Sequence, residues 1–164
     1  RAVRRKGFVP AGKKILVVGS GGVGSAIAAS FAAANAAVIA LHDANSEAMS
    51  GLANRLRMHF PDLSVTTGIS DPAGYDLVVN ATPLGMNVGD PMPTDVTRIS
   101  PATFVGDVVM KQEMTPFLMA AKKRGCEIQV GVDMLFEQIP AYLEFFGFPT
   151  TTPEELIQLA EIRY

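Results

Sequence analysis

Residues 14–24 read K-I-L-V-V-G-S-G-G-V-G, an apolar, β-branched run that breaks into glycine at Gly19, Gly21 and Gly24. The run has the continuous hydrophobicity of a strand buried on both faces. Glycines at this G-x-G-x-x-G spacing let the chain turn tightly out of a strand, let backbone approach a pyrophosphate, and let the next helix press against its own strand. An alanine-rich helical segment, residues 23–35, follows at once. Strand, glycine spacing and helix in that order read as a dinucleotide cradle.

A second strand is expected over residues 37–41, ending at His42 and Asp43. A carboxylate there, about 20 residues beyond the glycines, can accept hydrogen bonds from an adenine-ribose 2′-hydroxyl and repel a 2′-phosphate. No arginine follows until Arg55, so the expected cofactor is NAD, with NADP disfavoured. The competing role for Asp43 is a cap on the helix that begins near Ser46, a task open equally to Asn45 and Ser46.

Helix and strand signals then alternate. Residues 47–59 have a helical apolar period stopped by Pro61, and strands are expected over residues 64–69, 75–81, 103–109 and 127–131. Residues 82–101 form a long loop rich in glycine and proline. Helices are expected over residues 115–124, 134–146 and 153–162. Strands separated by helices imply right-handed crossovers and an α/β, Rossmann-type doubly wound fold, with a mostly parallel sheet covered by helices on both faces.

The 164 residues, 48% of them hydrophobic, suffice for one ordinary core. A net charge of −2 gives no general attraction to nucleic acid. Arg1, Arg4, Arg5 and Lys6, with Lys13 and Lys14, form N-terminal basic clusters, read as a solvated helix face and not a nucleic-acid arm because no aromatic residues interleave and no further basic stripe follows. Cys126, the single cysteine, excludes an intrachain disulfide, fits a reducing compartment and reads as a buried structural thiol. No metal site is expected. No apolar run approaches the ~20 residues of a membrane span, and no signal-peptide core opens the chain, so a cytoplasmic location without membrane contact is expected.

In such a sheet, ligands sit outside the carboxyl ends of the strands where strand order reverses. Three polar clusters fall there: residues 19–24, 80–86 (N-A-T-P-L-G-M) and 107–111 (D-V-V-M-K). Asn80 and Thr82 either face the nicotinamide ribose or only satisfy turn hydrogen bonds. Lys111 reads as a surface loop residue.

N-A-T-P-L-G-M at 80–86, D-V-V at 107–109 followed by T-P-F-L at 115–118, and G-V-D-M-L-F-E-Q at 131–138 resemble, in order and spacing, the cofactor-binding half of shikimate and quinate dehydrogenases. The likeness runs from Lys13 into the C-terminal helix. It implies reversible reduction of 3-dehydroshikimate to shikimate, or of 3-dehydroquinate to quinate, with a nicotinamide dinucleotide. It places Gly19, Ser20, Gly21, Gly22 and Val23 at the pyrophosphate, Asp43 at the adenosine ribose, and Thr82 and Val108 at the nicotinamide end. The Gly131 carbonyl would take the carboxamide and Gln138 would reach a substrate hydroxyl, although glutamine in a helix is more commonly a surface residue.

Two departures bear on substrate. Met110 stands where the family usually has a substrate-touching tyrosine, and a thioether cannot donate the phenolic hydrogen bond. Asp133 stands where the family commonly has glycine, and near a helix start it reads as an N-cap. By the resemblance, the catalytic lysine and aspartate belong to an N-terminal substrate domain. Residues 1–12 then look like the remnant of a connecting helix, residues 13–164 are the dinucleotide-binding domain, and the isolated chain carries no catalytic residue. The expected partners are the dinucleotide and, in a full-length protein, a ring hydroxy acid; a homodimer is allowed. Two alternatives stay open: a paralogue acting on another ring hydroxy acid, and a free-standing dinucleotide sensor whose docking surface would be Tyr142, Phe145, Phe146 and Phe148.

Overall fold

The computed structural model describes residues 2–160. Six strands form one all-parallel sheet: β1 (Lys14–Val18), β2 (Val38–His42), β3 (Ser64–Thr67), β4 (Leu77–Asn80), β5 (Phe104–Asp107) and β6 (Ile128–Gln129). Their spatial order is β3-β2-β1-β4-β5-β6. The chain therefore winds outward from β1 in one direction, then returns to the other side of β1 and winds the opposite way. The reversal lies between β1 and β4, directly below the glycine loop.

Side chains alternate across the sheet with period two. Ile15, Val17, Ile39, Leu41, Leu77, Val79 and Phe104 face one layer, packing on α2 (Gly22–Ala33) and α3 (Ser46–His59) through Phe31, Leu52 and Leu56. Leu16, Val18, Ala40, Val78 and Val105 face the other, against Phe117, Leu118 and Ala121 of α4 (Pro116–Lys123). Both faces of β1 are covered, which is why its sequence is an unbroken apolar run and not an alternating one.

Local chemistry sets the helix boundaries. Asn45 caps α3 by accepting the Ala48 amide at 3.0 Å, so the cap expected at Asn45 or Ser46 is Asn45. Thr115 caps α4 ahead of Pro116. Thr152 and Glu155 form a reciprocal capping box on α6 (Pro153–Leu159). The helix expected over residues 153–162 is thus described to Leu159, and its last expected residues lie outside the described ones.

Helix α5 (Gly131–Phe145) begins three residues earlier than its apolar period suggests. Gly131 opens that helix instead of closing the sixth strand, which is only two residues long. Asp133 is a second correction: Val130 occupies the cap position without a side-chain cap, and Asp133 lies in the first turn, paired with Lys6 at 2.6 Å. The acid is still favoured by the helix dipole there, but its partner comes from the other end of the chain.

Of the N-terminal basic cluster, Arg1 lies outside the described residues, and Arg4, Arg5 and Lys6 are exposed as expected, two of them paired with acids of the C-terminal helices. Helix α1 (Ala2–Arg5) lies against α5, Arg5 pairs with Glu137 at 3.0 Å and Glu154 at 2.6 Å, and Phe8 meets Phe104 at a ring-centroid distance of 5.5 Å. Arg5 and Lys6 are staples to acidic residues of α5 and α6, while Arg4 remains an exposed cation without an ion pair among the described residues. No described helix is long and apolar enough to cross a membrane.

Candidate dinucleotide site

The cradle is shaped by what its glycines lack. Gly19 has φ +105°, and a Cβ there would sit 2.7 Å from the Ala81 carbonyl carbon and oxygen and 3.0 Å from Thr82 Cγ2. The loop after β1 is therefore pressed against the loop after β4. A Cβ on Gly24 would overlap the Gly19 carbonyl oxygen, so α2 can start this close to β1 only with glycine there. Gly21 and Gly22 are the opposite case: a Cβ on either meets nothing within 4 Å. The first two glycines of the cradle thus serve different ends, one for protein packing and one for open approach.

Gly21 is the N-cap of α2, and no side chain caps that terminus. A helix of 12 residues consequently presents uncapped amides and the positive end of its dipole to a cleft of about 650 Å³ lined by Ser20, Gly21, Gly22, Ser25, Asn45, Glu47, Ala48, Gly51 and Arg55. Ser20 is 4% exposed, and its hydroxyl has no hydrogen-bond partner. An orphaned hydroxyl beside uncapped amides suits an anionic ligand such as a diphosphate. Val23, half exposed, stands on the outer side of the first turn.

Asp43 lies at the tip of β2 and braces this loop. One carboxylate oxygen accepts the Ser20 amide at 2.5 Å and the other accepts the Asn45 amide at 2.8 Å. The ribose and capping alternatives are therefore not exclusive, because a carboxylate has about four acceptor positions and two are taken. Ala44, next in the chain, is exposed and carries no charge.

At the other half of the switch point, Asn80 is fully buried. Its Nδ2 donates to Leu84 O at 2.9 Å and to Asp107 Oδ1 at 3.0 Å; its Oδ1 accepts the Thr82 amide at 3.1 Å and the Thr82 hydroxyl at 2.6 Å. All amide positions are engaged inside the protein. The expectation that Asn80 faces the nicotinamide ribose gives way to the turn role, because no surface of the side chain reaches the crevice. Thr82 is half-buried, and its hydroxyl also accepts the Leu84 amide.

Asp107, which the sequence placed near the crevice without a role, is the hub behind this loop. It is 3% exposed, and it accepts Val109 N at 3.0 Å and the Thr115 hydroxyl at 2.7 Å in addition to Asn80. Burial pushes its carboxyl above the usual aspartate value, against the opposing pull of those hydrogen bonds. A folded-state pKa above the unfolded one means that ionisation costs stability, and the cost is relieved as pH falls through the raised value. Asp71, Asp90 and Asp95 run the other way: held low by Arg98 (for Asp71), by backbone amides (for Asp90) and by Thr97 (for Asp95), they contribute stability that is lost on acidification. Acidification from pH 7 toward pH 4 should therefore move the melting-temperature difference between wild type and Asp107→Asn in favour of the wild type, as read by calorimetry. A difference independent of pH would show that burial does not perturb Asp107.

Val108 is half-buried and donates its amide to Asn80 O at 3.1 Å. Gly131 is buried in the first helical turn, where a Cβ would lie 2.8 Å from Val108 O and overlap Val109 O. Its carbonyl belongs to the start of α5, so its intrahelical acceptor role precedes any ligand role. Met110 is 52% exposed, in the loop after β5. Lys111 is exposed, its ammonium donating to Asn87 Oδ1 at 3.3 Å. Gln138 is exposed on α5, on the stripe that carries Leu135, Tyr142 and Phe145 at helical spacing. Tyr142, Phe145, Phe146 and Phe148 do not pack on the sheet; they are all more than half exposed. Cys126 is buried, and burial raises its thiol pKa, as expected of an inert structural cysteine. Among the described residues no cluster of metal-ligating side chains occurs.

No family model matches the chain. A shikimate dehydrogenase (NADP(+)) of Jannaschia sp. is 34% identical over 150 residues, 86% of this chain and 51% of that protein. The 5-ketofructose reductase of Gluconobacter sp. superposes with a TM-score of 0.86 at 27% identity, over 96% of this chain and 58% of its own. The quinate dehydrogenase of Corynebacterium glutamicum, solved with NAD, does so with a TM-score of 0.83 at 28% identity, over 97% of this chain and 60% of its own. The chain spans about half the length of the curated relatives it matches. The six-stranded parallel sheet agrees with these structures, and the chain belongs to the shikimate and quinate dehydrogenase family along that half.

Proposed function

We propose that this chain is the cofactor-binding unit of an oxidoreductase that interconverts a ring ketone and a ring alcohol of the dehydroshikimate/shikimate or dehydroquinate/quinate type. The uncapped N-terminus of α2, with the orphaned Ser20 hydroxyl at its foot, carries the proposal. Those groups fit a diphosphate, and Asp43 beside them fits an unphosphorylated adenosine ribose; Arg55 lines the same cleft and is the cation a 2′-phosphate would meet, but we give the Asp43 carboxylate the greater weight and prefer NAD over NADP. A bound nicotinamide dinucleotide supplies the hydride. The chain's own residues do the holding: the amides of Gly21 and Gly22 neutralise the diphosphate, and Thr82, Val108 and Gly131 frame the nicotinamide end. Gln138 and Met110 reach toward the substrate.

Ketone reduction also needs a proton donor of tuned pKa beside the oxygen. None of the residues at these strand tips suits that task, since Asp107 is buried and Lys111 is a solvated surface cation. In this reading the donor belongs to a second unit, as does most substrate contact, and the chain alone turns nothing over. Met110 and the likeness to a 5-ketofructose reductase support the wider class of polyhydroxylated ketones as an alternative to shikimate itself.

Titration of NADH into the chain should give saturable fluorescence enhancement, with NADPH binding at least about tenfold more weakly because a 2′-phosphate meets the Asp43 carboxylate. Asp43→Ser should bring the two affinities to within about threefold. Absence of NADH saturation would overturn the binding reading; unchanged selectivity in Asp43→Ser would leave Asp43 as a loop brace alone. Shikimate with NAD should give no reduction, and turnover would refute the division of labour.

A further inference from the structure

Asp107 links three segments distant in sequence. Through Asn80 it holds the loop after β4, through the Val109 amide it holds the loop after β5, and through Thr115 it holds the N-cap of α4, where the same hydroxyl accepts Leu118 N at 3.2 Å. Asn80 passes the constraint to Thr82, whose methyl and neighbouring Ala81 backbone form the wall against Gly19. The loop after β5 is in turn the surface on which Gly131 rests. One carboxylate therefore fixes both loops expected to frame the nicotinamide end, and of the two only the loop after β4 touches the phosphate cradle, at Gly19.

The geometry suits an acid. Three donors converge on two oxygens, and an aspartate is an acceptor at both. An asparagine offers one acceptor oxygen, so it keeps the Asn80 and Val109 bonds only if its amide faces Thr115, whose hydroxyl must then turn from donor to acceptor. A buried ionisable group is costly to desolvate, so its presence behind the crevice, where it cannot touch a ligand, calls for an explanation beyond packing. Apolar residues at that place would fill the volume but leave the Asn80 amide, the Val109 amide and the Thr115 hydroxyl without an acceptor.

We propose that Asp107 is a positioning residue for the nicotinamide end of the bound dinucleotide, acting through Asn80 and Thr82 on one side and Val108 and Gly131 on the other. This rests on the dinucleotide reading above. It separates the ligand into two parts: the ADP-ribose portion is held by the Gly21 and Gly22 amides and by Asp43, none of which Asp107 bonds, and the nicotinamide ring is held by loops that Asp107 aligns.

The test compares NADH with ADP-ribose, which lacks the nicotinamide, on the full chain as wild type, Asp107→Asn and Thr115→Val. Isothermal calorimetry gives both affinities, and NADH fluorescence reports the environment of the ring. Asp107→Asn should weaken NADH about tenfold, leave ADP-ribose within about twofold, and reduce the fluorescence enhancement. Thr115→Val, which removes only the tether to α4, should show the same split with a smaller loss. A role confined to stability would weaken both ligands together, and that result overturns the proposal, as does undiminished NADH affinity. Should Asp107→Asn not fold, the split in Thr115→Val decides by the same criterion. Wild type binding ADP-ribose but NADH no more tightly also overturns it, whereas wild type binding neither ligand refutes the dinucleotide reading instead.

Discussion

Gly24→Ala is expected to lower the melting temperature by about 10 °C and to weaken NADH binding by more than about tenfold. The added methyl would overlap the Gly19 carbonyl oxygen, lie 2.8 Å from the Gly19 carbonyl carbon and touch Ala81 Cβ at 3.4 Å. Two of the three atoms are backbone of the neighbouring turn, so no side chain can swing away. Relief requires the first turn of α2 to lift from the tip of β1. Overpacking of this kind costs about 3 kcal/mol, equivalent to about 10 °C in a domain of this size. The lift also moves the uncapped amides of Gly21 and Gly22 away from the cleft, so affinity falls along with stability. Gly51→Ala is the control. Gly51 lies inside α3, where a Cβ would only touch Arg55 Nη1 at an ordinary 3.5 Å. That substitution should stabilise the fold by about 0.5–1 kcal/mol through helix propensity. Calorimetric melting of both variants checks the pair; similar effects would show that close approach at Gly24 is not the constraint.

The same contrast explains what the sequence could disclose. The strands β1, β2 and β4 were legible because burial on both faces leaves an unbroken apolar run, and the place of Asp43 at the tip of β2 was legible because its distance from the glycines is fixed by one strand–helix–strand unit. Expected strands were longer than those observed: residues 75–81 shrink to Leu77–Asn80 and residues 103–109 to Phe104–Asp107. Their final residues are apolar or polar for reasons of the crevice, where pairing with a neighbour stops.

Partnerships across the chain left no periodic trace. Lys6 and Asp133, or Arg5 and Glu137, are charges that read as solvated surface until the fold joins them. Asp107 was visible as a polar residue at a strand tip, but its work depends on Asn80, 27 positions away, and Thr115, eight positions on. Asn80 misled for the same reason, since a polar side chain at a strand tip is equally consistent with facing a ligand and with bracing a loop. Its complete burial separates the two. A signal was nevertheless present: Asn80, Thr82, Asp107 and Thr115 are polar residues flanking two buried strands, and buried polar groups at such places need one another as partners.

Gly131→Ala carries the second large effect, and its sign depends on which of two terms wins. In an unconstrained helix, alanine would stabilise by about 1 kcal/mol over glycine. Here the new methyl would overlap Val109 O and lie 2.8 Å from both Val108 O and Val109 C, all of them backbone atoms of the loop after β5. That loop cannot retreat without straining the Val108 amide's bond to Asn80 O and the Val109 amide's bond to Asp107 Oδ1. Steric cost of about 2–4 kcal/mol should therefore exceed the propensity gain, for a net loss of about 1–3 kcal/mol. The easier relief is for α5 to move away from the sheet. It would load the Lys6–Asp133 and Arg5–Glu137 pairs. Urea unfolding should report the net loss, and hydrogen exchange should report faster opening of α5 than of β1. A neutral or stabilising result would mean that α5 is free to shift, and that its first turn is not a fixed wall of the nicotinamide end.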